Sequence, residues 1–546
     1  MFDAALTPRR RTVLLGLAGV PVLLTACAQT SDDGGDGGGG DSSGSLTVGT
    51  TDKVTALDPA AAYDNGSSTV WTQVYGYLLN TKIGSKDGKP EPDLAESAEF
   101  SSDTVFTVKL QEGLTFANGN ELTSEDVKHT FDRQLAIADP NGPSSLLANL
   151  DAVEAKDDLT VEFHLKEPND QTFPYVLTSP AGPIVDKDVF PADKVLADDE
   201  IVKGKAFSGA YQIASWKLNE LVAFQAFDDY KGIYGKPKTS DVSLKYYADQ
   251  NNMKLDIQQG NVDCVFRSLS ATDIEDLKKD SKVAVHDGPG GEIRYIVFNF
   301  DTMPYGAKTK DADEKKAQAV RQAAADLIDR QAIATSVYKD TYTPLYSYIP
   351  EGLPGAGDQF KTMYGDGSGK PDAAKAKKRL SDAGVETPVK LSLQYNPDHY
   401  GSSSGDEYAA VKSQLEADGL FAVDLQSTEW VQYSKDRTAD VYPAYQLGWF
   451  PDYSDADNYL SPFFIKDNFL ANHYDNAEVQ KLIEQQRGTQ DAAEREKLFV
   501  EIQDKVATDV STLPLLQGAQ IAVSTKDLQG VTLDSSFKLR LAPLAP

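Results

Sequence analysis

From Arg294 onward the chain alternates short apolar runs with longer amphipathic ones, and this alternation limits the possible folds more than any other feature. Arg294–Phe300, Val389–Gln394, Phe421–Gln426 and Tyr445–Trp449 read as strands. Between and after them, Ala317–Tyr338, Asp372–Ala383, Asp406–Ala417, Glu478–Gln486 and Ala492–Ala507 read as helices. Strands separated by helices predict an α/β unit with substantial parallel pairing. The earlier chain has a different texture. Val105–Leu110 and Leu159–Leu165 alternate cleanly, as half-buried antiparallel strands do, and a helix begins near Asp126 with Thr123 or Ser124 placed as its cap. Leu46–Thr50, Ala210–Trp216, Leu221–Phe227 and Val262–Phe266 add strands, Asn251–Gln259 a helix ending at Gly260, and Leu513–Val523 a strand-like tail.

At 546 residues, two or three compact units are expected. The only cysteines are Cys27 and Cys264. Cys264, in the apolar run Val262–Phe266, reads as a small buried hydrophobe. If Cys27 is consumed as described next, no internal disulfide can form and stability must come from packing.

Arg9–Arg11 and the apolar stretch Val13–Leu24 have the charge and length of a signal peptide, too short for a comfortable membrane span. The stretch ends Leu24-Thr25-Ala26-Cys27, which resembles the bacterial lipobox, in which the cysteine is lipidated and becomes the mature N-terminus. Residues 1–26 are thus expected to be removed. Residues 27–45, rich in Gly, Asp and Ser, would tether the body to the outer face of the cytoplasmic membrane. Arg10-Arg11 leaves twin-arginine and general secretion both open. A net charge of -30 disfavours nucleic acid and anionic lipid as partners.

Pro92–Ser97, Thr104–Leu110, Glu112–Phe116, Asn118-Gly119 and Leu122–Val127 fit, in order and spacing, the signature of the peptide/nickel (family 5) extracellular solute-binding proteins of ABC importers, which the chain resembles. Ser208–Tyr211 with Trp216, Ile257–Asp263, Val320–Arg330 and Gly448–Tyr453 extend the likeness over nearly all of the mature chain. The resemblance implies an α/β, two-lobed periplasmic-binding-protein-like fold that closes over its ligand. Its first lobe would comprise 46–295 and 504–546, with an extra subdomain at about 84–206, and its second lobe 296–503. It also implies a monomer, without cofactor, that hands a peptide or other small solute to separate permease and ATPase subunits. A nickel chelate, a sugar or another organic solute is the alternative ligand.

Gly448-Trp449-Phe450-Pro451-Asp452-Tyr453 follows a strand and combines aromatics with an acid, as a ligand loop at a strand end would. By the family pattern Asp452 would pair with a ligand ammonium, and Trp449, Phe450 and Tyr453 would supply aromatic surface. On residues alone, an acidic surface turn with its aromatics in the core is equally open. Asp455 and Asp457 read as solvated turn residues. Tyr63, Trp71 and Tyr75 either face the cleft or pack, and Arg294 and Tyr295, near the expected hinge, either meet ligand or brace the lobes.

An enzyme is the contrasting class. Gly401–Gly405 matches Gly-x-Ser-x-Gly and would make Ser403 a hydrolase nucleophile, but a polar, proline-containing loop separates Ser403 from the strand ending near Tyr395. The histidines never fall at two-ligand helical spacing, paired-cysteine metal motifs are missing, and no phosphate-binding glycine-lysine loop occurs, so neither metal nor catalytic residue is expected.

Overall fold

The computed structural model describes residues 44–267, 269–401 and 403–546. The signal segment, Cys27 and the Gly/Asp tether lie outside the described residues. Among those described, no helix is long and apolar enough to cross a membrane.

Two long antiparallel strands, Val283–Phe298 and Thr512–Thr525, organise the body. They pair first through Val283–Gly288 against Thr525–Gln520 and again through Glu292–Val297 against Gly518–Thr512, with a shift of register between Gly288 and Glu292. Beyond the first stretch lie Cys264–Phe266, Leu46–Thr50, Asp241–Tyr246, Leu221–Ala226 and Tyr211–Lys217. Beyond the second lie Ala444–Trp449, Val389–Tyr395 and Phe421–Ser427, the last three mutually parallel with helices between them. The parallel pairing expected from the alternating pattern is therefore present.

Each half has its own core. One runs from Ile293 to Leu516; the other joins Leu46, Val48, Tyr211 and Phe224 to the C-terminal Leu539, Leu541 and Leu544. Chain ends thus meet in one half because the tail supplies apolar residues that its core needs. A third core belongs to a four-stranded antiparallel sheet, Ala95–Ser102, Val105–Leu110, Thr160–Leu165 and Leu150–Asp157, covered by the helix Ser124–Ile137. The carboxylate of Asp126 accepts from the Thr123 N–H at 2.9 Å and fixes that helix's start. This subdomain core spans Leu78 to Ile184, whereas Phe190, Ile201 and Ala206 pack into the larger core beside it.

Two other expectations are corrected. The strand expected to begin at Arg294 begins at Val283. The helix expected over Ala317–Tyr338 is two helices, Glu314–Leu327 and Arg330–Ser336, because the Asp329 carboxylate caps the second by accepting from the Ala332 N–H at 2.9 Å. Cys264 is fully buried, and burial pushes its thiol up to about 12, as expected of an inert packing residue.

Candidate functional site

The strand Ala444–Trp449 ends at the segment that the sequence singles out. Gly448 is required there, since a Cβ would lie 2.9 Å from the Tyr400 ring and 3.1 Å from the Ile293 carbonyl. Trp449 packs one way, edge-on to Phe463 and Phe469. Its indole N–H donates to Asn458 Oδ1 at 2.9 Å, and the Asp452 backbone N–H donates to the same oxygen at 3.0 Å. Asn458 Nδ2 in turn donates to Asp452 Oδ2 at 2.9 Å. One buried asparagine therefore folds the loop back on itself and aims the Asp452 carboxylate.

The other Asp452 oxygen accepts the hydroxyl of Tyr63, which stands just before the helix Asn65–Val74 in the half that contains the chain's tail. Burial raises the Asp452 carboxyl from 3.8 to about 6, although both hydrogen bonds pull it down. Tyr63 is itself pushed upward, first by burial and then by the Asp452 charge. Phe450 lies under the Arg267 guanidinium, 4.6 Å from it, and Tyr453 tilts against Tyr175 at 6.2 Å beside the subdomain core. The structure thus brings Asp452, Tyr63, Trp449, Phe450 and Tyr453 into one loop region, in which Trp449 packs against the core that runs from Ile293 to Leu516 and Tyr453 against the subdomain core.

Trp71 and Tyr295 do not join them. Trp71 is fully buried, its indole N–H donating to the Leu57 carbonyl at 3.0 Å, and the Tyr75 hydroxyl donates to that same carbonyl at 3.1 Å. Tyr295 is buried against Phe463, its hydroxyl donating to Gly448 O at 3.4 Å. Both packed because a core position offered each ring an apolar bed and a carbonyl for its polar handle. Arg294 is likewise internal, held by Glu292 at 2.8 Å and the Tyr400 carbonyl at 2.7 Å among the rings of Tyr338, Tyr342 and Tyr400.

Asp455 and Asp457 are also not solvated. Arg495 binds Asp455 through two parallel bonds of 2.7 and 2.8 Å, and Asp457 receives Arg487, Gln486 and Ser461. Asp452 differs from both. Among the described residues no basic side chain pairs with it, and its partners are the neutral donors Tyr63 and Asn458. Such a carboxylate, desolvated but unneutralised, has the capacity to take a cation. Sequence reading missed Asn458 entirely. An open depression of about 680 Å³ lies instead beside Tyr346, Lys361 and Gln517, and one of about 320 Å³ lies between Ser102, Asn169 and Gln490. Unpaired charge, rather than cavity size, distinguishes the Asp452 loop.

Ser403 shows none of the geometry of a nucleophile. It precedes the helix Ser404–Glu416 and is well separated from the strand Val389–Tyr395. Among the described residues no hydrogen bond joins it to His399, whose imidazole stacks on Trp430 at 3.8 Å and is pushed down to about 4 by burial.

Residues 89–470 match the model of the bacterial extracellular solute-binding proteins, family 5 Middle. The chain is 26% identical over 546 residues to the glutathione-binding protein GsiB of Shigella dysenteriae, covering 98% of this chain and 99% of that one. It is 26% identical over 496 residues to the probable D,D-dipeptide-binding periplasmic protein DdpA of Escherichia coli, covering 89% and 90%. The crystal structure of the ABC transporter substrate-binding protein CtaP of Listeria monocytogenes superposes with a TM-score of 0.77 at 25% identity, over 92% of this chain and 99% of that one. Because that family model spans most of the sequence, the chain belongs to family 5 of the bacterial extracellular solute-binding proteins, the non-enzymatic substrate-binding subunits of ABC transporters.

Proposed function

We propose that this protein captures peptides bearing a free α-ammonium between its lobes, with Asp452 as the anchor, and delivers them to a membrane permease. The observation that carries this reading is the contrast within one loop: Asp455 and Asp457 are matched by Arg495 and Arg487, and among the described residues no cation matches Asp452. A ligand ammonium would replace the Tyr63 hydroxyl, and the nearby Trp449, Phe450 and Tyr453 rings would line its path. GsiB and DdpA, named for glutathione and for D,D-dipeptides, make a short peptide the natural ligand class. The lobes would meet at Gly288–Glu292 and Gly518–Gln520, where the long strands change partners.

Titration calorimetry of the parent and Asp452→Asn, each with a free and an N-acetylated peptide, tests the anchor. Loss of one partner of a desolvated pair costs about 3–5 kcal/mol, roughly two to four decades in affinity. That loss is expected for the free peptide alone. Equal binding of the free peptide by both proteins would remove Asp452 from the role and return a nickel chelate, a sugar or another organic solute to first place.

We further propose that Cys27 is lipidated and holds the body at the outer face of the cytoplasmic membrane. Its support is the register of Arg9–Arg11, the apolar stretch and Leu24-Thr25-Ala26-Cys27. On cell fractionation Cys27→Ser should leave the membrane fraction; retention there equal to the parent's would assign the anchor elsewhere.

A further inference from the structure

Asp301, Asp440 and His473 come from three separate segments of the second half and meet at one point, their ligand atoms all within 4.8 Å of one another. Asp301 follows the strand Val283–Phe298, Asp440 follows the helix Trp430–Thr438, and His473 follows the short helix Ser461–Phe464. Phe298 pairs with Ala444 and Ile293 with Trp449, so this cluster sits at the opposite end of the strand Ala444–Trp449 from the Asp452 loop. Five residue steps separate those ends by about 17 Å.

His473 Nε2 lies 3.4 Å from Asp301 Oδ2 and 2.5 Å from Asp440 Oδ1. The fully buried Asn299 holds both carboxylate segments: its Nδ2 donates to Asp440 Oδ1 at 3.0 Å, and its Oδ1 accepts the Asp301 N–H at 2.9 Å. Beside His473, the buried Asn472 accepts the Phe300 N–H at 2.9 Å through its carbonyl. Such outer contacts fix ligand segments before an ion arrives. The Lys308 ammonium, 63% exposed, reaches in to Asp301 Oδ2 at 2.7 Å and Asp440 Oδ2 at 3.4 Å.

We propose that Asp301, Asp440 and His473 form a divalent transition-metal site, best suited to Zn²⁺, in which Lys308 is the counter-cation that the metal displaces. One imidazole and two carboxylates suit this borderline ion, whose bonds to them are about 2.0–2.2 Å, and three protein ligands leave a position open to water. Ligand atoms around a tetrahedral ion of that size stand about 3.3 Å apart. The His473–Asp301 separation already has that value, and the His473–Asp440 contact must open by less than 1 Å. His473, with 42% of its side chain exposed, has room to do so. A surface ion-pair network that Lys308 merely satisfies would instead bind no equivalent of Zn²⁺, with the lysine or without it.

A second cluster, Glu154, Glu162 and His164, serves as the internal control. It lies on neighbouring strands of the subdomain sheet, with His164 Nε2 3.8 and 3.9 Å from the two carboxylates. The test is Zn²⁺ calorimetry on the chelator-treated, untagged protein, with Co²⁺ absorption as a report of coordination. One equivalent should bind, weakened by at least about tenfold in His473→Ala and in Asp301→Asn, strengthened by about tenfold in Lys308→Ala, and unchanged in His164→Ala. Circular dichroism confirms that each variant is folded; the two ligand variants serve as alternates if one is not. No binding by the parent, unaltered binding in both ligand variants, no gain in Lys308→Ala, or loss in His164→Ala would each overturn the proposal.

Discussion

The Asp452 carboxyl carries a cost that follows from its burial. Burial raises it from 3.8 to about 6, so the folded protein holds this proton at pH values where the unfolded chain has lost it. Stability therefore falls as pH rises from about 4 to about 6 and stays lower above that window. A displacement of two pH units corresponds to roughly 3 kcal/mol, reduced to about 1–3 kcal/mol because the side chain is only half-buried. Asp452→Asn keeps the shape, and the Tyr63 hydroxyl can turn to accept from the new amide. The ligand-free variant is expected to melt above the parent at pH 8, by about 1–3 °C, and with it at pH 4. A variant that melts below the parent at pH 8 would mean that the charge is compensated in place. The acid itself was legible from Gly448–Tyr453, but its setting was not. Asn458 acts only once the loop has closed, and Arg487 and Arg495, which neutralise Asp457 and Asp455, sit on or beside later helices that no local pattern connects to the loop. Trp71 and Tyr295 show the converse: an aromatic near a cleft in sequence still packs when a core and a carbonyl are available.

At the scale of elements, patterns succeeded where one rule governed the segment. Leu46–Thr50 and Val105–Leu110 alternate without interruption and are strands over those residues. Val283–Phe298 was only half visible because Gly288-Pro289-Gly290-Gly291 breaks the alternation, and those residues are where the strand must break it. A Cβ on Gly290 would lie 1.5 Å from the Gly518 carbonyl oxygen, and one on Gly291 would meet Phe537 and Pro451 at 2.7 Å. Close backbone approach, rather than turn formation, is what these glycines permit. Gln517 and Gln520 then hold the passage, donating to the carbonyls of Gly290 at 2.7 Å and Pro289 at 2.6 Å. The same strands thus continue from one core to the other while their side-chain register is reset between them. Helix continuity failed at Asp329 for a comparable reason, since a capping carboxylate outweighs an unbroken helical pattern.

For the whole molecule, the proposed capture turns on the balance between open and closed arrangements. Away from the crossing strands, a small set of polar contacts joins the second half to the rest. Tyr63 donates to Asp452, Ser454 to the Ser535 carbonyl, the Gln171 N–H to the Arg487 carbonyl at 2.9 Å, and Gln490 to Asn169 at 2.6 Å. Hydrogen bonds of this kind contribute about 0.5–1.5 kcal/mol each, so their sum is small enough for a ligand's contacts to outweigh it. Two crossings also let one chain enclose a ligand without a second copy. Small-angle scattering with a saturating peptide should therefore show a smaller radius of gyration at unchanged mass. Tyr63→Phe, which removes the bond to Asp452 and leaves the ring, should give a larger radius than the parent without peptide and the same radius with it. A parent already compact without peptide remains consistent only if Tyr63→Phe expands it. No compaction in either protein with tightly bound peptide would rule out closure as the capture step, and a doubled mass would move the enclosure to an interface between copies.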